Sequence, residues 1–279
     1  MLAFDAQPLA RDLRALGVAR GQTLLVHASL RDVGRVRRGP VTVVQALRSL
    51  LGRTGTLVVP THTAANSDTS RDHLRAIEGM APDEVARFRA RMPAFDPART
   101  PSNGMGRLAE YVRTSKDAVR SVHPQTSFAA IGRRARPLME HHSPRCHLGE
   151  ESPLARLYEV DAHVLLLGVG YEQCSVFHLG EYRCSANPPR RTYRCKRDFG
   201  HGPEWWEYKD VVLDDRDFSA LGADFESTGA VRRGVIGKAP SRLFRVTAAV
   251  DFATQWLTMH RYSHESSPSA PPLTYAAFP

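Results

Sequence analysis

The stretch "HVLLLGVGYEQCSVFHLGEYR", residues 163–183, constrains the fold more than any other part of the chain. After His163 come Val164, Leu165, Leu166, Leu167, Gly168 and Val169 without a polar break. A run of this kind reads as a strand buried on both faces, the signature of a parallel sheet covered by helices. Directly after it the chain places Glu172, Cys174, His178 and Glu181 close together. In an open parallel sheet, ligands bind beyond the carboxyl ends of the strands, so this polar cluster falls where such a fold keeps its site.

Other segments agree with that class. "QPLARDLRALGV" predicts an amphipathic helix with Pro8 near its start and Leu9, Leu13 and Leu16 on one face. "TLLVHASL" predicts a buried strand, residues 40–51 a helix opened by Pro40, and "GTLVVPT" a second strand. Together they make a strand–helix–strand unit with a right-handed crossover. Residues 62–101 read as loop with one helix, "PDEVARFRARM"; "SNGMGRLAEYVRT" reads as a glycine loop opening a helix. Further on, "SFAAIG" predicts a strand and "RRARPLMEHHS" a short helix. A strand from Trp205, a helix ending near Glu226, and a short strand with a closing amphipathic helix in "SRLFRVTAAVDFATQWLTMHR" follow. The expectation is an α/β fold over residues 1–262, with a largely parallel central sheet flanked by helices and a mixed C-terminal part. A Ser/Pro-rich, pliable tail covers 263–279.

No apolar run approaches the roughly 20 residues that a membrane helix needs, and "MLAFDAQPLARDLRALG" lacks a signal-peptide pattern. Cys146, Cys174, Cys184 and Cys195 are scattered without a CxxC pair, which predicts reduced thiols in a cytoplasmic protein. The net charge is +9, and 34 of the 38 basic residues are arginine. They lie in singles and pairs without interleaved aromatics, so no nucleic-acid surface is expected. An arginine bias of this size fits a GC-rich genome, while the guanidinium fork also suits a phosphate-rich small ligand.

Three predicted strands end in "HASLR" (27–31), "THT" (61–63) and "YEQC" (171–174). If a helix starts near Ser175, His178 lies in its first turn, where the positive helix end favours a neutral ring able to take a proton. A carboxylate on its other nitrogen would fix the tautomer, and Glu172 and the distant Glu226 are candidates. The alternative is a structural histidine held by Glu181. Cys174, His178, Glu172 and Glu181 are all metal-ligand types, but the spacing matches neither HExxH nor CxxC, so no metal is expected. "PSNGMGRLAEYVR" resembles a phosphate cradle, with Arg31, Arg107 and Arg120 on neighbouring loops or helix starts. No GxSxG elbow is present, and Cys174 has no adjacent base, so covalent catalysis is unsupported.

Taken as a set, the chain resembles the aminoglycoside 3-N-acetyltransferase family. The resemblance is carried by "LLVHASLRDVG" (24–34), "GTLVVPTHT" (55–63), "FDPARTPSNGMGRLAEYVR" (95–113), "RSVHPQTSFAAIG" (120–132), residues 148–183 and "LGADFE" (221–226). It implies an antibiotic N-acetyltransferase-like fold and transfer of an acetyl group from acetyl-CoA to an amine. It also implies His178 as the base, Glu226 as its paired carboxylate, and Glu172 as a residue that replaces a common Asp. Acetyl-CoA would be lined by His27, Ser29, Leu30, Arg31, Thr100, Ser102, Gly104, Met105, Gly106, Arg120 and Ser121. A cationic acceptor would meet Asp68, Glu151, Tyr171, Glu172 and Glu226. The implied partner is a small-molecule amine, with neither nucleic acid nor membrane involved.

Overall fold

In the computed structural model, which describes residues 3–262, α1 (Ala6–Leu16) leads into β1 (Thr23–Ala28), and α2 (Leu30–Val33) and α3 (Pro40–Leu51) carry the chain to β2 (Thr56–Pro60). The pliable tail expected over 263–279 lies outside the described residues. Two helices, α4 (Arg71–Ala76) and α5 (Pro82–Arg91), interrupt the long segment after β2. Next come α6 (Gly106–Arg113), β3 (Val119–Arg120), β4 (Phe128–Gly132), α7 (Ala135–Met139), α8 (Pro153–Glu159) and β5 (His163–Leu167). The chain ends through α9 (Phe177–Arg183), β6 (Arg190–Asp198), β7 (Pro203–Val211), α10 (Phe218–Ser227), β8 (Arg232–Ile236), β9 (Ala239–Arg245) and α11 (Val246–Arg261).

The main sheet has the order β3-β4-β2-β1-β5-β9-β8. Its centre is parallel, with β1 between β2 and β5, and antiparallel strands extend both edges. Alternation along each strand splits the core in two. Leu24, Val26, Leu165 and Leu167 join α1, α3 and α6 on one face. Leu25, Val164 and Leu166 join the face packed by α7 to α11. Covering both faces explains why these strands carry no polar positions until their ends. No helix among the described residues is long and apolar enough to cross a membrane.

A separate two-stranded ribbon, β6–β7, pairs nine residues on each strand, and β6 was not anticipated from sequence. Its residues, "RRTYRCKRD", are dominated by charge, yet alternation at its middle buries Tyr193 and Cys195 against Tyr208. Main-chain bonds from Lys196 to Asn66 (2.7 Å) and from Phe95 to Lys196 (3.0 Å) tie the ribbon to the segment that carries α4 and α5. The ribbon thus forms a wall facing the ends of the parallel strands.

Candidate functional site

Because β1, β2 and β5 are parallel, their carboxyl ends share one edge. A cleft of about 910 Å³ opens there, lined by Ser29, Leu30 and Arg31 after β1, by Gly168–Gly170 after β5, and by Gly104–Gly106 at the start of α6. Glycine is required at two of these points. Gly106 has φ +79°, and Gly168 has φ +67° with an added Cβ only 2.8 Å from Asp32 Cβ. Without side chains the backbone itself becomes the cleft wall. Three cations, Arg31, Arg107 and Arg242, line it. The sequence-predicted His27, Ser29, Leu30, Arg31, Gly104, Met105 and Gly106 all line this cleft.

Four other predicted residues, Thr100, Ser102, Arg120 and Ser121, do not line this cleft and bond within the protein. Thr100 accepts a bond from the Asp96 N–H (2.9 Å), and Ser102 donates its hydroxyl to Glu110 (2.8 Å). The Arg113 guanidinium, chiefly, and Ser102 hold the Glu110 carboxyl down at about 2. Ser121 is fully buried; its hydroxyl pairs with His142 Nδ1 (2.9 Å) and accepts from the Phe128 N–H. Arg120 donates to the carbonyls of Thr61 (2.8 Å), Pro97 (3.2 Å) and Thr100 (2.5 Å) and to Ser127 Oγ (3.0 Å). Burial, then the Arg113 charge, lowers its guanidinium to about 10. Arg120→Ala strands those acceptors and is expected to cost about 2–4 kcal/mol of stability. Acetyl-CoA affinity should stay within about threefold. Denaturant melts and calorimetry check both, and an unchanged melt with weakened affinity would return Arg120 to the cleft.

The second cleft, about 300 Å³, contains the imidazole. His178 lies in α9, and Glu181 follows three residues later on the same helix face. Their side chains meet at 2.6 Å, from His178 Nδ1 to Glu181 Oε2. Glu181 is buried, and its other oxygen accepts from Arg261 (2.7 Å) and from the Asp214 N–H (2.9 Å). Arg261 is itself anchored on Asp217, so α11 and the loop before α10 fix the carboxylate from two directions. Phe218 packs against the imidazole at 4.7 Å between ring centroids. Nδ1 is thereby committed to Glu181, leaving Nε2 for the cleft that His178 lines with His62, Thr63, Asn103 and Gln125. His27, on the larger cleft, lies near enough to His178, on the smaller one, for their charges to interact, and its Nε2 bonds Ser175 Oγ at 3.2 Å. Burial first, and the nearby His178 second, lower His27 to about 4.

This geometry corrects the carboxylate expected from the sequence. Glu226 does not meet His178; it is held by Arg242 (2.7 Å) and Arg233 (3.2 Å). Burial is the largest influence and works against its charge, but Arg242, Tyr171 and Arg233 together outweigh it and keep the carboxyl below its ordinary value. Glu172 folds back onto the Gly170 N–H (3.1 Å) and lines the larger cleft, away from the imidazole. Asp68 is buried in ion pairs with Arg194 and Arg89, and Glu151 stands exposed on the turn before α8. Tyr171 is buried in the core with its ring 5.1 Å from the Arg242 guanidinium carbon. Cys174 is also in that core, where burial pushes its thiol up. Sequence reasoning missed Arg242, His62, Arg71 and Asp215 as cleft residues. Only the residues immediately after strand ends carried a signal, and "THT" held His62 without marking it.

The comparisons with known proteins agree with this arrangement. Residues 25–258 match the family model described as aminoglycoside 3-N-acetyltransferase. An aminoglycoside N(3')-acetyltransferase-like protein of Bacillus subtilis, YokD, is 36% identical over 90% of this chain and 91% of its own length. Aminoglycoside N(3)-acetyltransferase VII of Streptomyces paromomycinus is 36% identical over 89% and 90%. The solved structure of AAC-IIIb with CoASH superposes with a TM-score of 0.81 at 29% identity, covering 97% of this chain and 100% of that one. The mixed α/β fold and these relatives define the protein as an acyltransferase that uses acetyl-CoA. The chain belongs to the aminoglycoside 3-N-acetyltransferase family.

Proposed function

We propose that this enzyme acetylates the 3-amino group of an aminoglycoside, with His178 as general base. The observation that carries the reading is the His178–Glu181 pair, with His178 lining a polar cleft and near enough to His27 of the larger, cofactor-sized cleft to interact with it. Acetyl-CoA would occupy the larger cleft, where Arg31, Arg107 and Arg242 suit its phosphates and the glycine backbone lets it approach closely. The acceptor would occupy the smaller cleft. Its amine nitrogen attacks the thioester carbonyl, and His178 Nε2 takes the ammonium proton. Collapse of the tetrahedral intermediate breaks the C–S bond, giving the amide and a CoA thiolate that is then protonated. Glu181 orients the ring and balances the imidazolium, with Arg261 and the Asp214 N–H holding the carboxylate in place. A base of this kind supplies about 10²–10⁴-fold.

Thiol release from acetyl-CoA, followed across a panel of aminoglycosides and simpler amines, tests the reaction; product NMR locates the acetyl group. Release with no amine in the panel would overturn the reaction class, and acetylation at another nitrogen would overturn the position. In a sensitive bacterium, expression should raise resistance to the antibiotics that are turned over.

A second acceptor class, a less cationic amine, is favoured by the charge of the smaller cleft. Its wall carries Arg71 and Arg191 against Asp72 and Asp215, which is no net excess of acid.

A further inference from the structure

Of the two acids that line the smaller cleft, Asp72 and Asp215, the second is already held by an arginine of this chain. Asp68, buried behind the cleft, is taken by Arg194 and Arg89. Asp215, on the cleft wall, accepts from Arg71 at 2.9 Å, which bridges the start of α4 to the loop between β7 and α10. Asp72 alone of the cleft-lining acids has no ion-pair partner among the described residues. The Arg71–Asp215 bridge also sits close to the chemistry, because the N–H of the preceding residue, Asp214, donates to Glu181 at 2.9 Å. Both members are solvent-accessible, at 58% and 40% of their side-chain surface, so the pair is held weakly and can exchange partners.

We infer that Arg71 is a specificity-determining residue that occupies, as an internal cation, the place on Asp215 that an ammonium group of the acceptor would take. A polycationic acceptor must displace the guanidinium before it reaches Asp215. An acceptor with one amine, placed at His178, needs no such exchange. Arg71 therefore discriminates against highly charged amines, and Asp215 is the acid that binds them once it is released. This rests on the assignment of the smaller cleft to the acceptor.

Calorimetric titration of sisomicin into the CoA-saturated enzyme tests it without requiring turnover. Arg71→Gln is expected to bind sisomicin about twofold to fivefold tighter than wild type, the range set by an exposed ion pair. Asp215→Asn is expected to bind it weaker by a similar factor, and the double variant to behave like Asp215→Asn. Glucosamine, with one amine, should show no tightening in Arg71→Gln. Unchanged or weakened sisomicin binding in Arg71→Gln, or no binding by any of the proteins, overturns the inference. The reaction is scored separately by thiol release. Tighter binding in Arg71→Gln with no acetylation would sustain Arg71's role and remove the proposed reaction; acetylation with unaltered binding would do the reverse.

Discussion

Replacing His178 by alanine is expected to lower kcat by on the order of 10²–10⁴-fold, about 3–5 kcal/mol of barrier, while acetyl-CoA affinity stays nearly intact. The separation follows from geometry, since His178 lines the smaller cleft and the larger one is built from the ends of β1 and β5 and the start of α6. The two glutamates then divide the roles. Glu181→Gln keeps a group on Nδ1 but removes the charge that balances the imidazolium, so kcat should fall by about tenfold or more. Glu226→Gln should leave kcat within about threefold and act on the KM for acetyl-CoA, because Glu226 holds Arg242 on that cleft. Steady-state kinetics of the three variants, with circular dichroism to confirm folding, separates these outcomes. A folded His178→Ala enzyme turning over at the wild-type rate would remove the base. A larger loss in Glu226→Gln than in Glu181→Gln would restore the pairing first expected from the sequence.

The second large effect is on stability at acid pH. His27, His123, His142 and His147 are all buried. Burial, the leading cause in each, takes His27 and His142 down to about 4 and His123 and His147 well below the ordinary value. His123 stacks on His142 (centroids 4.8 Å) and lies tilted against His147 (4.5 Å), so protonating one opposes protonating the next. In the unfolded chain each titrates near 6.5. Between that value and about 4 the unfolded state binds more protons than the folded one, so stability is complete above pH 6.5 and is lost as pH falls. A ring lowered from 6.5 to about 4 costs about 3 kcal/mol when that window is crossed. Four such rings together remove about 11 kcal/mol over two pH units, comparable with the whole stability of an ordinary domain, about 5–15 kcal/mol. Cooperative unfolding is therefore expected between about pH 4 and 5.5, with uptake of close to one proton per buried histidine. This lies above the window of depressed carboxyls such as Glu110, held at about 2. Far-UV circular dichroism against pH gives the midpoint, and the slope of denaturant stability gives the proton count. A protein equally stable at pH 7 and pH 4.5 would contradict the buried neutral rings.

Much of the site's location was legible in the chain, and the reasons are local. A strand buried on both faces must be apolar to its last residue, so Leu24–Val26 and Val164–Leu167 mark themselves, and whatever polar residue follows is at the sheet edge. His27, Ser29 and Arg31 follow that rule, Gly104 and Gly106 come instead from the glycine loop that opens α6, and all five line the larger cleft. The helical spacing of His178 and Glu181 was equally visible, because residues three apart share a face whatever surrounds them.

What the sequence could not decide was which long-range partner each charged group takes. Glu226, 48 positions from His178, was a reasonable partner until β9 brought Arg242 beside it. Arg120 has the chemistry of a phosphate ligand, but packing half-buries it among carbonyls of two loops. Asp68 looked free until β6 placed Arg194 against it. Local spacing determined the strands and the glycine cradle and set His178 and Glu181 on one helix face, because those depend on neighbours within a turn or a pleat; that the two pair was decided by the fold. Tertiary structure alone decided the ion pairs, because a guanidinium binds whichever carboxylate the fold sets within hydrogen-bond reach, however far apart the two lie along the chain.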